Sequence, residues 1–94
     1  MAEQHSTVLG DEYDDALRGA LLMILLEMGA DLTDKSWSLG GSQVLEIIDF
    51  QLDGTLLRIE AETYMGLSIT GPRSTVAEIE RRLLERQAGN AANP

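Results

Sequence analysis

The chain contains no cysteine. Disulfides, thiol nucleophiles and thiolate metal sites are thereby excluded, and the absence fits a reducing compartment. It has one histidine, His5, in a polar N-terminal stretch. Without it, nucleophile, base and acid cannot be assembled into a hydrolase triad, and no His/Cys ligand set for a metal exists. A glycine-rich phosphate loop is also missing, because Gly40-Gly41 lacks both the lysine and the spacing. The longest apolar run, Ala20 to Leu26, falls far short of the roughly 20 residues a membrane-spanning helix needs. Residues 1–10 lack the basic start and apolar run of a signal peptide. The expectation is a cytoplasmic protein with no membrane contact, no cofactor, no metal and no catalytic residue.

Basic residues are scarce. There are 7 Lys and Arg against 16 Asp and Glu, for a net charge of -9. Residues 1–72 hold 13 acids and only 3 bases (Arg18, Lys35 and Arg58), whereas residues 73–94 hold 3 acids and 4 bases. Such a field repels the phosphates of nucleic acid. It attracts and steers a basic protein surface, and it also keeps the chain soluble.

What is present suits one small core. The 94 residues are 44% hydrophobic, enough for one domain. Residues 1–10 are expected to be a flexible lead, 11–88 the domain and 89–94 a frayed tail. Asp11, Glu12, Asp14 and Asp15 mark the start of a helix over 11–29, where acids complement the helix dipole, and Gly29 supplies the stop. These four carboxylates do not follow the calcium-loop pattern and are read as a solvated helix end. Leu17, Ala20, Leu21, Ile24 and Met28 share one helical face. Leu22, Met23 and Leu26 form a second stripe, to be covered by the rest of the fold or by a second copy in a homodimer through Leu22 and Leu26. Residues 30–42 form a connector with a short extra strand near 36–39, and Trp37 is expected in the core rather than as an interface anchor.

Asp53-Gly54 signals a two-residue hairpin over 43–64. The register then sets Phe50 against Leu57, Ile48 against Ile59, Glu46 against Ala61 and Val44 against Thr63, facing the helices. Gln51 meets Leu56, Asp49 meets Arg58, Ile47 meets Glu60 and Leu45 meets Glu62 on the other face. A slip of one residue would invert both faces. Glu46 thus points to the apolar side, at the sheet margin, beside an arginine or as a buried acid. Residues 66–71 read as a further strand whose register depends on turn length. After Gly71-Pro72, residues 74–88 read as a second helix with Val76, Ile79 and Leu83 inward. Thr75 and Glu78 have capping-box spacing, and Ser74 competes as the cap. The fold expected is α+β: three to four antiparallel strands with two helices on one face, in the order α-β-β-β-α.

The outer hairpin face combines Leu45, Ile47, Leu56 and Tyr64 with Asp49, Glu60 and Glu62. Apolar anchors among acids suit a partner with a basic surface; the other reading is that a further element covers this face. In size, acidity and its helix, hairpin and helix layout, the chain resembles the immunity (antitoxin-like) proteins of bacterial interbacterial toxin systems, including type VI secretion effector-immunity pairs. The resemblance implies stoichiometric inhibition of a cognate toxin enzyme by occupation of its active site, with Asp49, Glu60 and Glu62 mimicking an anionic ligand. The alternative is a dimeric adaptor or secretion-chaperone-like module without an inhibitory role.

Overall fold

The computed structural model describes residues 4–91. In chain order these form β1 (Gln4–Gly10), α1 (Asp15–Glu27), β2 (Asp31–Gly40), β3 (Gln43–Leu52), β4 (Thr55–Glu62), β5 (Gly66–Pro72) and α2 (Arg73–Ala91). The class is α+β, with one antiparallel sheet in the order β1-β5-β4-β3-β2.

The sheet is larger than the sequence pattern implies. Gln4–Gly10, expected as a flexible lead, forms edge strand β1 against β5. Asp31–Gly40, expected as a connector with only a short strand near 36–39, is a ten-residue strand at the opposite edge. Residues 89–91, expected as part of a frayed tail, continue α2 to Ala91; residues 1–3 and 92–94 lie outside the described residues.

Local chemistry explains the joints. The Asp14 carboxylate accepts from the Leu17 N–H at 3.0 Å and caps α1. At the other end Gly29 is left-handed, the Ala30 N–H donates to the Leu25 carbonyl, and the Gly29 N–H donates to that of Leu26. This is a Schellman closure, and buried Ala30 seals it. Asp53 and Gly54 both have positive φ, the type I′ conformation that matches strand twist. The β3–β4 register agrees with the expected one at every pair from Leu45–Glu62 to Leu52–Thr55. The turn between β4 and β5 spans residues 63–65, because Glu62 pairs with Gly66. That odd length turns Leu67 and Ile69 inward, where both are buried. α2 begins at Arg73, directly after Pro72, so Thr75 lies inside its first turn. Glu78 binds Arg81 and Arg82 rather than closing a capping box.

One core lies between sheet and helices. Leu17, Leu21, Ile24 and Leu25 of α1 and Val76, Ile79 and Leu83 of α2 pack on Ile48, Phe50, Leu57, Ile59, Leu67 and Ile69. α2 lies over β1 and β5, and α1 runs beside it towards β3, where Arg18 meets Glu46. The helix layer stops short of β2, whose ten residues are all exposed. Trp37, expected in the core, is 67% exposed. The reason is geometric: two helices about 10 Å wide cover about four strands spaced about 4.8 Å apart, and β2 is the fifth.

Candidate functional site

Alternation along β3 and β4 brings six of the seven expected partner-binding residues to one face. Leu45 stands opposite Glu62, Ile47 opposite Glu60, Asp49 opposite Arg58 and Gln51 opposite Leu56. Both helices pack on the other side, and no described element covers this face. Its flanks are short hydroxyl side chains. Ser38 and Ser36 lie beside Leu45 and Ile47, and Ser68 and Thr70 lie beside Glu60 and Arg58. Thr70 donates to Ser6 at 2.9 Å, which ties β1 to the same surface. The longer Leu45, Ile47, Glu60 and Glu62 side chains therefore rise between two low polar margins.

The charged members are not equivalent. Arg58 grips Asp49 through two hydrogen bonds, Nε to Oδ1 at 2.9 Å and Nη2 to Oδ2 at 3.1 Å. This bidentate pair holds the Asp49 carboxyl below its ordinary range, outweighing the opposing effect of burial. Asp49 is buried, so its charge is spent inside the sheet surface. Glu60 and Glu62 are half-buried and hold no hydrogen-bonded ion pair among the described residues. They are the acids of this face that remain open to a partner.

Tyr64, the seventh residue, is not on the face. It sits in the β4–β5 turn with φ of 70° and is 80% exposed. Its N–H donates to Glu12 Oε2 at 2.9 Å, so the acidic start of α1 holds the turn. This contact gathers exposed Tyr13, Tyr64 and Met65 with Asp11, Glu12, Asp14 and Glu62 at one end of the molecule. Tyr13 and Met65 are additions to the expected surface. Periodicity carries no signal for them, because one precedes its helix and the other lies in a turn. The N-terminal acids also have defined work: Asp14 caps α1, Asp11 accepts from the Tyr13 N–H at 2.8 Å, and Glu12 holds Tyr64.

Glu46 does point to the helix side, as the register requires, and it finds an arginine. Arg18 Nη2 lies 2.5 Å from its Oε1 and Lys35 Nζ lies 3.6 Å from its Oε2. Its side chain is 19% exposed. It sits at the margin of the helix layer, beside an open depression of about 140 Å³ that Tyr13, Val44 and Thr63 also line. A concavity of about 370 Å³ opens between the helices and is lined chiefly by paired ions, Glu27 with Arg86 and Arg81 with Glu85. In the same cluster, hydrogen bonds from Arg81 and Arg82 push the Glu78 carboxyl down to about 2. No helix is long and apolar enough to cross a membrane.

Comparison with protein-family models, with curated proteins and with solved structures returned no match.

Proposed function

We propose that the chain works in the cytoplasm as an immunity protein, neutralising a cognate bacterial toxin enzyme by binding its basic active site. The carrying observation is the outer sheet face, on which Leu45 and Ile47 stand directly beside the open carboxylates Glu62 and Glu60. Aliphatic side chains supply burial, and adjacent acids supply steering and selection for a basic surface. Glu62 leads from this face to the end bearing Tyr64 and Tyr13. Tyrosine gives large, stiff contact area with a polar tip, the usual anchor of a tight interface. The contact surface therefore comprises Leu45, Ile47, Leu56, Glu60, Glu62 and Tyr64, with Tyr13 and Met65 added at the end and Asp49 acting through its hold on Arg58.

The test is capture from lysate of the source cell at physiological salt, a high-salt wash, and then co-expression of the captured protein with and without this chain. The expected result is one stoichiometric enzyme that is toxic alone and harmless together with the chain. Glu60→Lys with Tyr64→Ala should abolish both capture and protection. A captured protein that is harmless by itself, or protection that survives the double substitution, would reject the reading.

A further inference from the structure

We propose that β2 is a self-association edge, through which two copies join their sheets into one of ten strands across a two-fold axis at Trp37. This inference is independent of the outer-face reading, because it concerns the open edge and the helix-side surface.

Backbone directions come first. The Thr63 N–H donates to the Val44 carbonyl, so in the alternating antiparallel pattern Val44, Glu46 and Ile48 bond to β4. Leu45, Ile47 and Asp49 then bond to their β2 partners Ser38, Ser36 and Asp34. The backbone groups of Lys35, Trp37 and Leu39 are left directed at the open edge. An edge of this kind is a template for another strand unless charge, proline or a bulge blocks it. The bulge lies at Thr33, between Leu32 and Asp34, and leaves Asp34–Gly40 regular. Lys35, the one cation of the strand, is drawn back toward Glu46.

Side chains agree with the backbone. Trp37 pairs with Glu46 and Leu39 with Val44, which places all four on the helix-side face beyond the helices. On α1, Leu22 follows Arg18 by one turn and lies on the flank that Arg18 turns toward Glu46; Leu26 lies one turn further. Leu32, Trp37 and Leu39 are 59%, 67% and 64% exposed. Leu22, Leu26 and Val44 are exposed as well, and large apolar side chains gathered in this way mark an interaction surface, whereas singly scattered ones do not. A standard interface needs about 800 Å² from each partner.

Charge selects the occupant. Two of the three bases in residues 1–72, Arg18 and Lys35, border this surface, and Glu46 is shared between them. A basic partner is therefore disfavoured here, and a second copy brings the same nearly neutral patch. Trp37 is the midpoint of the regular stretch. An antiparallel pair centred on it sets Trp37 against Trp37, Ser36 against Ser38, Lys35 against Leu39 and Asp34 against Gly40. No like charges oppose one another in that register.

The test is sedimentation equilibrium of the full chain over a hundredfold concentration range, with emission of Trp37, the single tryptophan, read in parallel. The expected result is a reversible shift from 10.3 kDa to twice that mass, with a blue shift of emission as dimer forms. Trp37→Glu should weaken association by about 100-fold or more, the scale of a central interface anchor. Leu39→Pro removes one outward N–H without touching the β3 ladder, so it should block dimerisation while circular dichroism stays that of the wild type. Ser38→Pro removes an inward N–H and should lower stability instead. A wild-type chain that stays monomeric throughout would overturn the proposal. So would a dimer indifferent to Trp37→Glu and Leu39→Pro but lost on Leu45→Glu.

Discussion

Three glycines separate backbone conformation from close contact, and Gly66 is where both act. Its φ is 97°, and a Cβ built there would lie 2.7 Å from the Gly10 carbonyl oxygen and 3.1 Å from Val8 Cγ1. A side chain in the left-handed region costs about 1–2 kcal/mol. The carbonyl belongs to paired strand β1 and cannot swing aside as a flexible side chain could, so displacement adds a similar amount. Gly66→Ala should therefore destabilise by about 3 kcal/mol, a large share of the roughly 5–14 kcal/mol of a domain this size. Gly54 also has positive φ, at 75°, but nothing lies within 4 Å of its Cβ position. Gly54→Ala should cost about 1 kcal/mol, the conformational part alone. Gly19 is an exposed helical residue with open space around it, so Gly19→Ala should stabilise by about 0.8 kcal/mol through helix propensity. Urea unfolding followed by far-ultraviolet circular dichroism, at one protein concentration for all variants, measures the series. If Gly66→Ala costs no more than Gly54→Ala, the β1–β5 approach is not as described, and the placement of the Tyr64 turn goes with it.

Arg18→Ala leaves Glu46 with only Lys35 at 3.6 Å and should cost about 1–2 kcal/mol, whereas Arg18→Leu with Glu46→Leu should unfold within about 1 kcal/mol of wild type; a thermal melt of each variant distinguishes these outcomes. The Asp49 carboxyl is held below its ordinary value chiefly by hydrogen bonding to Arg58. Its stabilising contribution is thus complete above about pH 4 and is lost as pH falls through the folded-state value. Asp49→Asn should accordingly lower the urea midpoint at pH 7, and the gap to wild type should close on acidification; a gap constant with pH would contradict the pairing. At high dilution Trp37→Ala should cost less than about 1 kcal/mol, while Leu57→Ala, wholly buried, should cost about 3 kcal/mol, as measured by chemical unfolding.

Legibility followed the strength of local constraint. The β3–β4 register was readable because Asp53-Gly54 fixes the turn and the inward row of Phe50, Ile48, Leu57 and Ile59 fixes the same answer by burial. Both helices were readable from spacing, and Leu17, Leu21, Ile24, Val76, Ile79 and Leu83 are buried. β2 resisted because Asp31–Gly40 has neither face buried, so its composition carries no inward row to detect. Trp37 was misplaced for the same reason: tryptophan usually fills a core, but its strand lies beyond the reach of two helices. β1 was missed because it is a short edge strand whose pairing is wholly with β5, some 60 residues away in sequence. At the candidate site, alternation was enough to gather Leu45, Ile47, Asp49, Leu56, Glu60 and Glu62. The end bearing Tyr64 was not visible, because a backbone-to-carboxylate bond between Tyr64 and Glu12 creates it and no periodicity encodes such a bond.

The two proposed surfaces meet in one hairpin. Outward residues of β3, Leu45 and Ile47, serve the acidic face, while the next strand, β2, supplies the open edge. β2 has no buried side chain, so its order rests on its ladder to β3 and on links such as Thr33 Oγ1 to the Asp49 carbonyl at 3.1 Å. Pairing β2 with a second copy would give it ladder bonds on both sides and would stiffen the strand flanking Leu45 and Ile47. A toxin bound across that face would in turn order β2 from above. Linkage requires the two effects to be equal: whatever factor dimerisation adds to toxin affinity, bound toxin must add to dimerisation. Leu39→Pro, which blocks edge pairing while leaving every contact residue of the acidic face in place, should therefore weaken toxin binding by that same factor. The loss should appear in the dissociation rate, because the charges that steer encounter are untouched.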